Sequence, residues 1–324
     1  MDSLGALLDG PRARDAFLLR ATMAPPWSLR IDDHAPLSVV AVVSGSAWIT
    51  APDSAPVELG AGDVGLCRWH GPYVINHPLG TEPTVVVHPG DRCQTLDGTP
   101  LDQSMRHGVR SWGNDRDGGD VMLIGTYHDQ GELSGRLLSA LPPLVVIRAV
   151  EWDNPLLTVL EAELIREDLG QSAVLDRLLD LVLVTALRIW LARPETEAPG
   201  WYVAMSDPVV GDALRLLHDD PAAPWTVASL ATEVGLSRAA LARRFTALVG
   251  DPPMTYLTNW RLGLAADRLR QPGASVGSVA ADVGYSNAFA FSTAFKRHRG
   301  VSPRAHARAA RTQSTSSPSH QPFG

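Results

Sequence analysis

The sequence predicts two domains of unlike class: a small β-barrel followed by helices in the N-terminal part, and an all-α domain with two helix-turn-helix units at the C-terminus. Three observations predict this. Between 25 and 150 the apolar runs are short, β-branched and separated by turn residues. From 154 onward the apolar spacing takes the helical period. In the last third one pattern occurs twice. Ala231-Thr-Glu-Val-Gly235 precedes Ser237-Arg-Ala-Ala-Leu-Ala-Arg-Arg-Phe245, and Ala280-Ala-Asp-Val-Gly284 precedes Asn287-Ala-Phe-Ala-Phe-Ser-Thr-Ala-Phe295. Each copy reads helix, glycine turn, helix.

The β elements come first. Leu37–Val43, Ala47–Thr50 and Thr84–Val87 are strand-like runs. Ser44-Gly45, Pro52-Asp53-Ser54, Gly60-Ala-Gly62-Asp63 and Pro89-Gly90-Asp91 supply the turns between them. Many short strands at this spacing predict a barrel or sandwich. The acidic, glycine-rich stretch 113–120 reads as a loop. Pro155 starts a helix to about Asp168, and a second helix runs from about Ser172 to Leu191. The centre of the second, Leu181 to Leu187, is apolar on nearly every face, so it must be buried on several sides. Packing within its own domain and packing against a second subunit both satisfy that requirement. The boundaries expected are 1–193 for the first domain, with a helical dimerisation segment at about 154–193, a linker at 194–206, a helical domain at 207–311 and a disordered tail at 312–324.

Composition narrows the class. The chain has 324 residues, 45% hydrophobic and 19% charged, as expected of a soluble globular protein with two cores. The N-terminus lacks the basic and apolar regions of a signal peptide, and no apolar run is long enough to span a bilayer, so a cytoplasmic location without a membrane partner is expected. The net charge of −7 conceals an asymmetry: residues 1–200 carry −12, whereas 201–311 carry +5. A basic C-terminal domain beside an acidic one fits nucleic-acid contact at that end alone. Cys67 and Cys93 are too few for a disulfide framework or a four-cysteine zinc site. They read as small buried residues, with a redox sensor as the alternative.

The C-terminal helices can be placed in order. Asp207-Pro208 opens one that runs to about His218. Thr226 caps the next, Gly235 makes the turn, and Ser237 caps the first recognition helix, whose core positions are Leu241, Phe245 and Leu248. Arg238, Ala239, Ala242 and Arg243 then face outward, toward base edges if this helix enters a major groove. Arg243 is the best base reader, because a guanidinium can pair with both major-groove acceptors of guanine. Pro252-Pro253 starts a long helix to about Arg270 that connects the two units. Ser275 caps the second unit, and Asn287 starts its recognition helix. Phe291 and Phe295 point inward; Ala288, Phe289, Ala290 and Thr293 point outward. Ser237, Asn287, Lys296 and Arg297 are placed to reach phosphates. Ser302-Pro303 opens a closing helix.

Over about 205–309 these residues resemble the AraC/XylS transcriptional regulators. Trp225-Thr-Val-Ala-Ser-Leu-Ala231, the two Ala-x-x-x-Gly turns, Phe295-Lys-Arg297 and Gly300-Val-Ser-Pro303 carry the resemblance. It implies sequence-specific binding to double-stranded promoter DNA, with the two recognition helices in successive major grooves. RNA polymerase is a further implied partner if the protein is an activator. The chain departs from the family at the second recognition helix, where Ala288, Phe289, Ala290 and Thr293 stand in place of polar or charged residues. His306 replaces a frequent tyrosine.

Residues 25–150 resemble the cupin-type sensory domain found in many of these regulators. Pro26-Trp27-Ser-Leu-Arg30, Val43-Ser-Gly-Ser-Ala-Trp48, Val57-Glu-Leu-Gly-Ala-Gly-Asp63 and Leu138-Ser-Ala-Leu-Pro-Pro143 carry it. The metal-binding version of that barrel needs histidines that are out of register here: His34 stands alone, and Arg68, His70, Tyr73 and His77 occupy the places of the second motif. No metal and no cofactor is expected, and no catalysis. Trp48, Trp69, His70 and Tyr73 are candidates for a small-molecule effector pocket, or they simply fill the barrel. The expected function is a regulator whose N-terminal domain senses a small effector or a redox state and forms a homodimer. The alternative is a cupin enzyme with a helical interaction module.

Overall fold

A computed structural model describes residues 17–127, 141–193 and 200–316, apart from 70, 91, 102, 153, 154, 167 and 272, together with residue 138. Two compact units result, one built mainly on Pro11–Asp129 and Leu141–Thr196, the other mainly on Glu197–Ser317.

The N-terminal unit is two sheets with a shared core. In chain order its strands are β1 (Phe17–Met23), β2 (Trp27–Ile31), β3 (Leu37–Ser44), β4 (Ser46–Thr50), β5 (Val57–Gly60), β6 (Val64–Cys67), β7 (Tyr73–His77), β8 (Val85–His88), β9 (Arg92–Thr95), β10 (Arg106–Gly108), β11 (Ser111–Trp112), β12 (Asp120–Tyr127) and β13 (Leu144–Ile147). One sheet has the order β10-β11-β1-β12-β3-β6-β13, and the other β5-β4-β7-β2-β8-β9. Among the described residues, strand structure begins at Phe17, eight residues before the expected start. Strand β1 pairs along its whole length with β12, from Phe17–Thr126 to Met23–Asp120.

The space between the sheets is filled by side chains. Trp27, Leu29, Ile31, Ile49, Leu59, Ile75 and Met122 lie in one buried cluster. Strand β3 is buried on both faces. Val40 and Val42 belong to that cluster, yet Leu37, Val39 and Ala41, on the opposite face, are also buried. Their cover is helical: α1 (Leu156–Ile165) packs against β1 and β3, and α2 (Gln171–Ala192) packs on α1 and β13. Leu179 of α2 lies so close to the backbone of Gly125, the partner of Val39, that a β-carbon there would stand 2.5 Å from its Cδ1. Burial on both faces is the physical reason that Val39–Val43 is a continuous apolar run and does not alternate. On α2, Leu175, Leu179, Val182, Leu183, Ala186 and Leu187 are buried, while Leu181 remains half exposed.

The C-terminal unit is helical: α3 (Gly200–Ala204), α4 (Val210–Asp219), α5 (Val227–Glu233), α6 (Arg238–Val249), α7 (Pro253–Arg270), α8 (Val276–Asp282), α9 (Ala288–Arg299) and α10 (Pro303–Ser316). Two stretches differ from expectation. Residues 200–204, read as the end of a linker, form α3, and its buried Ala204 joins the core of the first helix-turn-helix unit. Helix α10 continues five residues past Arg311 into the expected tail, because neither glycine nor proline interrupts 304–316. Residues 194–199 and 317–324 lie outside the described residues, as do 139 and 140 of the Leu138–Pro143 motif.

Helix α7 joins two cores. Its Tyr256 and Leu257 pack with Leu214, Leu230, Leu241 and Phe245. Further along, Leu262, Ala265, Ala266 and Leu269 pack with Val279, Ala280, Phe291 and Phe295. Polar contacts secure its middle and its C-terminal end. Arg261 donates to the carbonyls of Pro221 (2.5 Å) and Ala223 (2.7 Å), and Arg268 pairs with Asp282 at 3.3 Å. A continuous helix shared by two cores holds the two recognition helices in one arrangement.

Candidate functional site

Local sequence explains the first helix-turn-helix unit. At the start of α5 the Thr226 hydroxyl accepts from the Ser229 amide at 3.0 Å, while the Thr226 amide donates to the Ser229 hydroxyl at 2.9 Å, a reciprocal cap. Gly235 turns the chain with a φ of 69°. Ser237 then caps α6, accepting from Ala240. Leu241 and Phe245 anchor α6 inward. On its other side Arg238, Ala239 and Arg243 are exposed and Ala242 is half-buried. The three arginines of this helix differ in state. Arg244 donates to Asp207 Oδ2 from Nη2 (2.6 Å) and Nε (3.2 Å), and Asp207 Oδ1 accepts from the amides of Val209 and Val210. Arg238 and Arg243 have no partner among the described residues, so their guanidinium donors remain available.

The second unit repeats this plan. Ser275 caps α8 through Ser278, Gly284 turns with a φ of 78°, and Asn287 caps α9 through Ala290. Phe291 and Phe295 are fully buried. His306, where the family often has tyrosine, meets the Phe295 ring edge-on at 5.5 Å and lies 3.3 Å from the Ala266 carbonyl, a packing role. Ala288, Phe289, Ala290 and Thr293 are all exposed, and so are Lys296 and Arg297. The last turn of α9 also carries His298 and Arg299, making that helix end strongly basic.

Of the residues suggested for an effector pocket, Trp69 and Tyr73 meet, while Trp48 lies apart from them. In β4, Ala47 and Ile49 point into the barrel, so period-two alternation puts Trp48 on the outer face, opposite Glu58 and Asn76. Tyr73 is buried in the core, and Trp69 leans on it with ring centroids 5.1 Å apart. His70 lies outside the described residues. Trp69 lines a cavity of about 600 Å³, together with Ser54, Val57, Leu144, Val146, Arg148, Glu151 and Arg193. That cavity sits at the seam where β5 ends one sheet and β13 ends the other, two edges that do not pair. Arg148 bridges the seam, donating to the Glu58 carbonyl (2.7 Å) and to Asp63 (2.8 Å). Arg193, at the C-terminal end of α2, holds Glu151 through both carboxylate oxygens. The Arg193 hydrogen bonds, ahead of the opposing cost of burial, keep the Glu151 carboxyl below the usual carboxylate range. The sequence reading missed these charged residues; two arginines that each end a regular element were the only signal available.

Both cysteines are buried and neither is in a disulfide, and burial pushes the Cys67 thiol up to about 12, the reverse of what a reactive thiolate needs. Among the described residues no group of three or more His, Cys, Asp or Glu is arranged to hold a metal ion, and no helix is long and apolar enough to cross a membrane.

Two helix-turn-helix units on a shared helix, following a two-sheet barrel, define a DNA-binding protein with a cupin-like N-terminal domain. Comparison with known proteins agrees in both halves. A family model described as cupin matches residues 2–192, and one described as helix-turn-helix domain matches 230–309. An AraC-like transcription regulator of Streptomyces lividans is 33% identical over 94% of this chain and 97% of its own length. A second, from Streptomyces antibioticus, is 32% identical over the same shares. The HTH-type transcriptional regulator AlkR of Acinetobacter baylyi is 26% identical over 94% of this chain and 97% of its own. The chain belongs to the AraC-like transcription regulators.

Proposed function

We propose that the protein regulates transcription by placing α6 and α9 in successive major grooves of promoter DNA, and that α6 does most of the base reading. The observation that carries this is the contrast within α6: Arg244 is held by Asp207, while Arg238 and Arg243 are exposed with their donors available. Arg238, Ala239, Ala242 and Arg243 face the bases in this reading, with Ala288, Phe289, Ala290 and Thr293 in the second unit. Ser237, Asn287, Lys296 and Arg297 serve the phosphates.

The seam cavity is the candidate effector site, because it combines an aromatic and aliphatic wall with a few convergent charged groups. Effector binding regulates by favouring one of two arrangements, DNA-competent or incompetent. The half-exposed Leu181, with the exposed Val159 and Val174 on the same helix pair, supports a homodimer through α1 and α2. As an activator it would also contact RNA polymerase. The decisive experiment selects DNA from a random-sequence pool with the full-length protein and compares Arg243→Ala on the recovered duplex. Loss of affinity with relaxed preference at one or two base pairs is expected; unchanged affinity and preference would remove Arg243 from its role.

A further inference from the structure

We infer that the second helix-turn-helix unit reads thymine through its C5-methyl group, with Phe289 as the specificity-determining side chain. This rests on the docking of α9 in a major groove proposed above.

The outward face of α9 carries few groups that could form hydrogen bonds to base edges, and those are already engaged. Asn287 Oδ1 accepts from the Ala290 amide at 2.8 Å, and its Nδ2 lies 3.3 Å from the Ser286 hydroxyl. The Thr293 hydroxyl donates to the Phe289 carbonyl at 3.0 Å, one turn back along the same helix. The polar side chains of this face are therefore engaged within the helix. What remains outward is apolar: the methyl groups of Ala288, Ala290 and Thr293, and the ring of Phe289, which is 83% exposed.

An exposed phenylalanine by itself signifies little. Its setting is what matters. Phe289 stands in the first turn of a capped recognition helix, where base contacts are made in this class of fold. The same helix ends in exposed Lys296 and Arg297, a cationic stripe complementary to phosphate. A phenyl ring has no donor or acceptor. Placed against guanine, adenine or cytosine it removes water from base-edge polar groups and replaces nothing. Thymine alone presents a methyl group in the major groove. The two units thus divide the work by chemistry: α6 offers guanidinium donors suited to guanine, and α9 offers an apolar surface suited to thymine.

The test separates the methyl group from everything else in the base pair. A duplex is recovered from a random-sequence pool with the full-length protein and resynthesised with deoxyuridine in place of thymidine, under the second unit alone or under the first alone. Wild type should lose affinity about fourfold for each methyl removed under α9. Phe289→Ala should bind thymine and uracil duplexes equally, and Phe289→Leu should keep part of the discrimination. Wild-type indifference to uracil under α9, discrimination that survives Phe289→Ala, or a recovered site with no thymine there would overturn the inference. So would a Phe289→Ala variant with unchanged DNA affinity and lost transcription in vitro, which would assign the ring to a protein partner. Phosphate-ethylation interference distinguishes the levels. No interference from α9 means that its docking fails; interference with indifference to uracil removes only the thymine reading.

Discussion

His218 of α4 stacks on Trp260 of α7 with ring centroids 4.0 Å apart, and its Nε2 lies 2.7 Å from the Tyr256 hydroxyl. This stack joins the helix that opens the DNA-binding domain to the helix shared by its two cores. Burial pushes the His218 pKa down to about 4, so the ring is neutral in the folded protein at neutral pH. The unfolded chain takes up a proton near pH 6.5 that the folded domain refuses until about pH 4. Domain stability should therefore fall as pH drops from 6.5 toward 4 and level off below, by about 3 kcal/mol in all. Urea titrations at pH 7, 5.5 and 4 should show a smaller fall for His218→Gln. An equal fall would place the acid sensitivity elsewhere.

The two glycine turns should respond unequally to alanine. Gly235 and Gly284 both have positive φ, but a β-carbon on Gly235 meets open space, whereas one on Gly284 lies 2.6 Å from the Ala222 carbonyl oxygen. Gly235→Ala pays only the left-handed backbone penalty, roughly 1–2 kcal/mol. Gly284→Ala adds a clash with rigid backbone and should destabilise by roughly 2–4 kcal/mol. Urea midpoints of the two variants measure the difference, and equal midpoints would contradict it.

Neighbouring arginines on α6 should separate function from stability. Arg243→Ala is expected to weaken binding to the selected duplex at least tenfold while leaving the melting temperature unchanged. Arg244→Ala breaks a partly exposed ion pair and should cost under about 1 kcal/mol of stability, with little change in base preference. Paired measurements of melting and of affinity for both variants check this reciprocal pattern.

Salt dependence reports the phosphate contacts. If Lys296 and Arg297 each neutralise one phosphate, the double alanine variant should lower the slope of log affinity against log salt by about 2. Relative affinities for different sequences should stay nearly constant. A slope equal to wild type would leave those cations as partners of the helix C-terminus only.

The C-terminal unit was the more legible half. Thr226, Ser237, Ser275 and Asn287 each cap the helix expected of them, because a cap is a local interaction written within four residues. The inward Leu241, Phe245, Phe291 and Phe295 followed from helical period. The barrel was legible as a class and illegible as a site. Trp48, Trp69 and Tyr73 looked equivalent as aromatics, yet strand alternation puts Trp48 outside, the core encloses Tyr73, and Trp69 lines the seam cavity. Arg148 and Glu151 share one short turn, but Arg193 reaches Glu151 from a helix end 42 residues further along, and no local pattern announces that meeting.

Periodicity, capping and charge act over a few residues, so the two classes of domain, the duplicated helix-turn-helix, the basic C-terminal third and the family were readable from the order of residues alone. The folded chain alone shows which arginine of α6 is held by Asp207, that Gly284 abuts a carbonyl where Gly235 does not, and that the barrel opens between β5 and β13. Each of these depends on what a distant or neighbouring segment places against the residue, and side-chain type alone does not encode that.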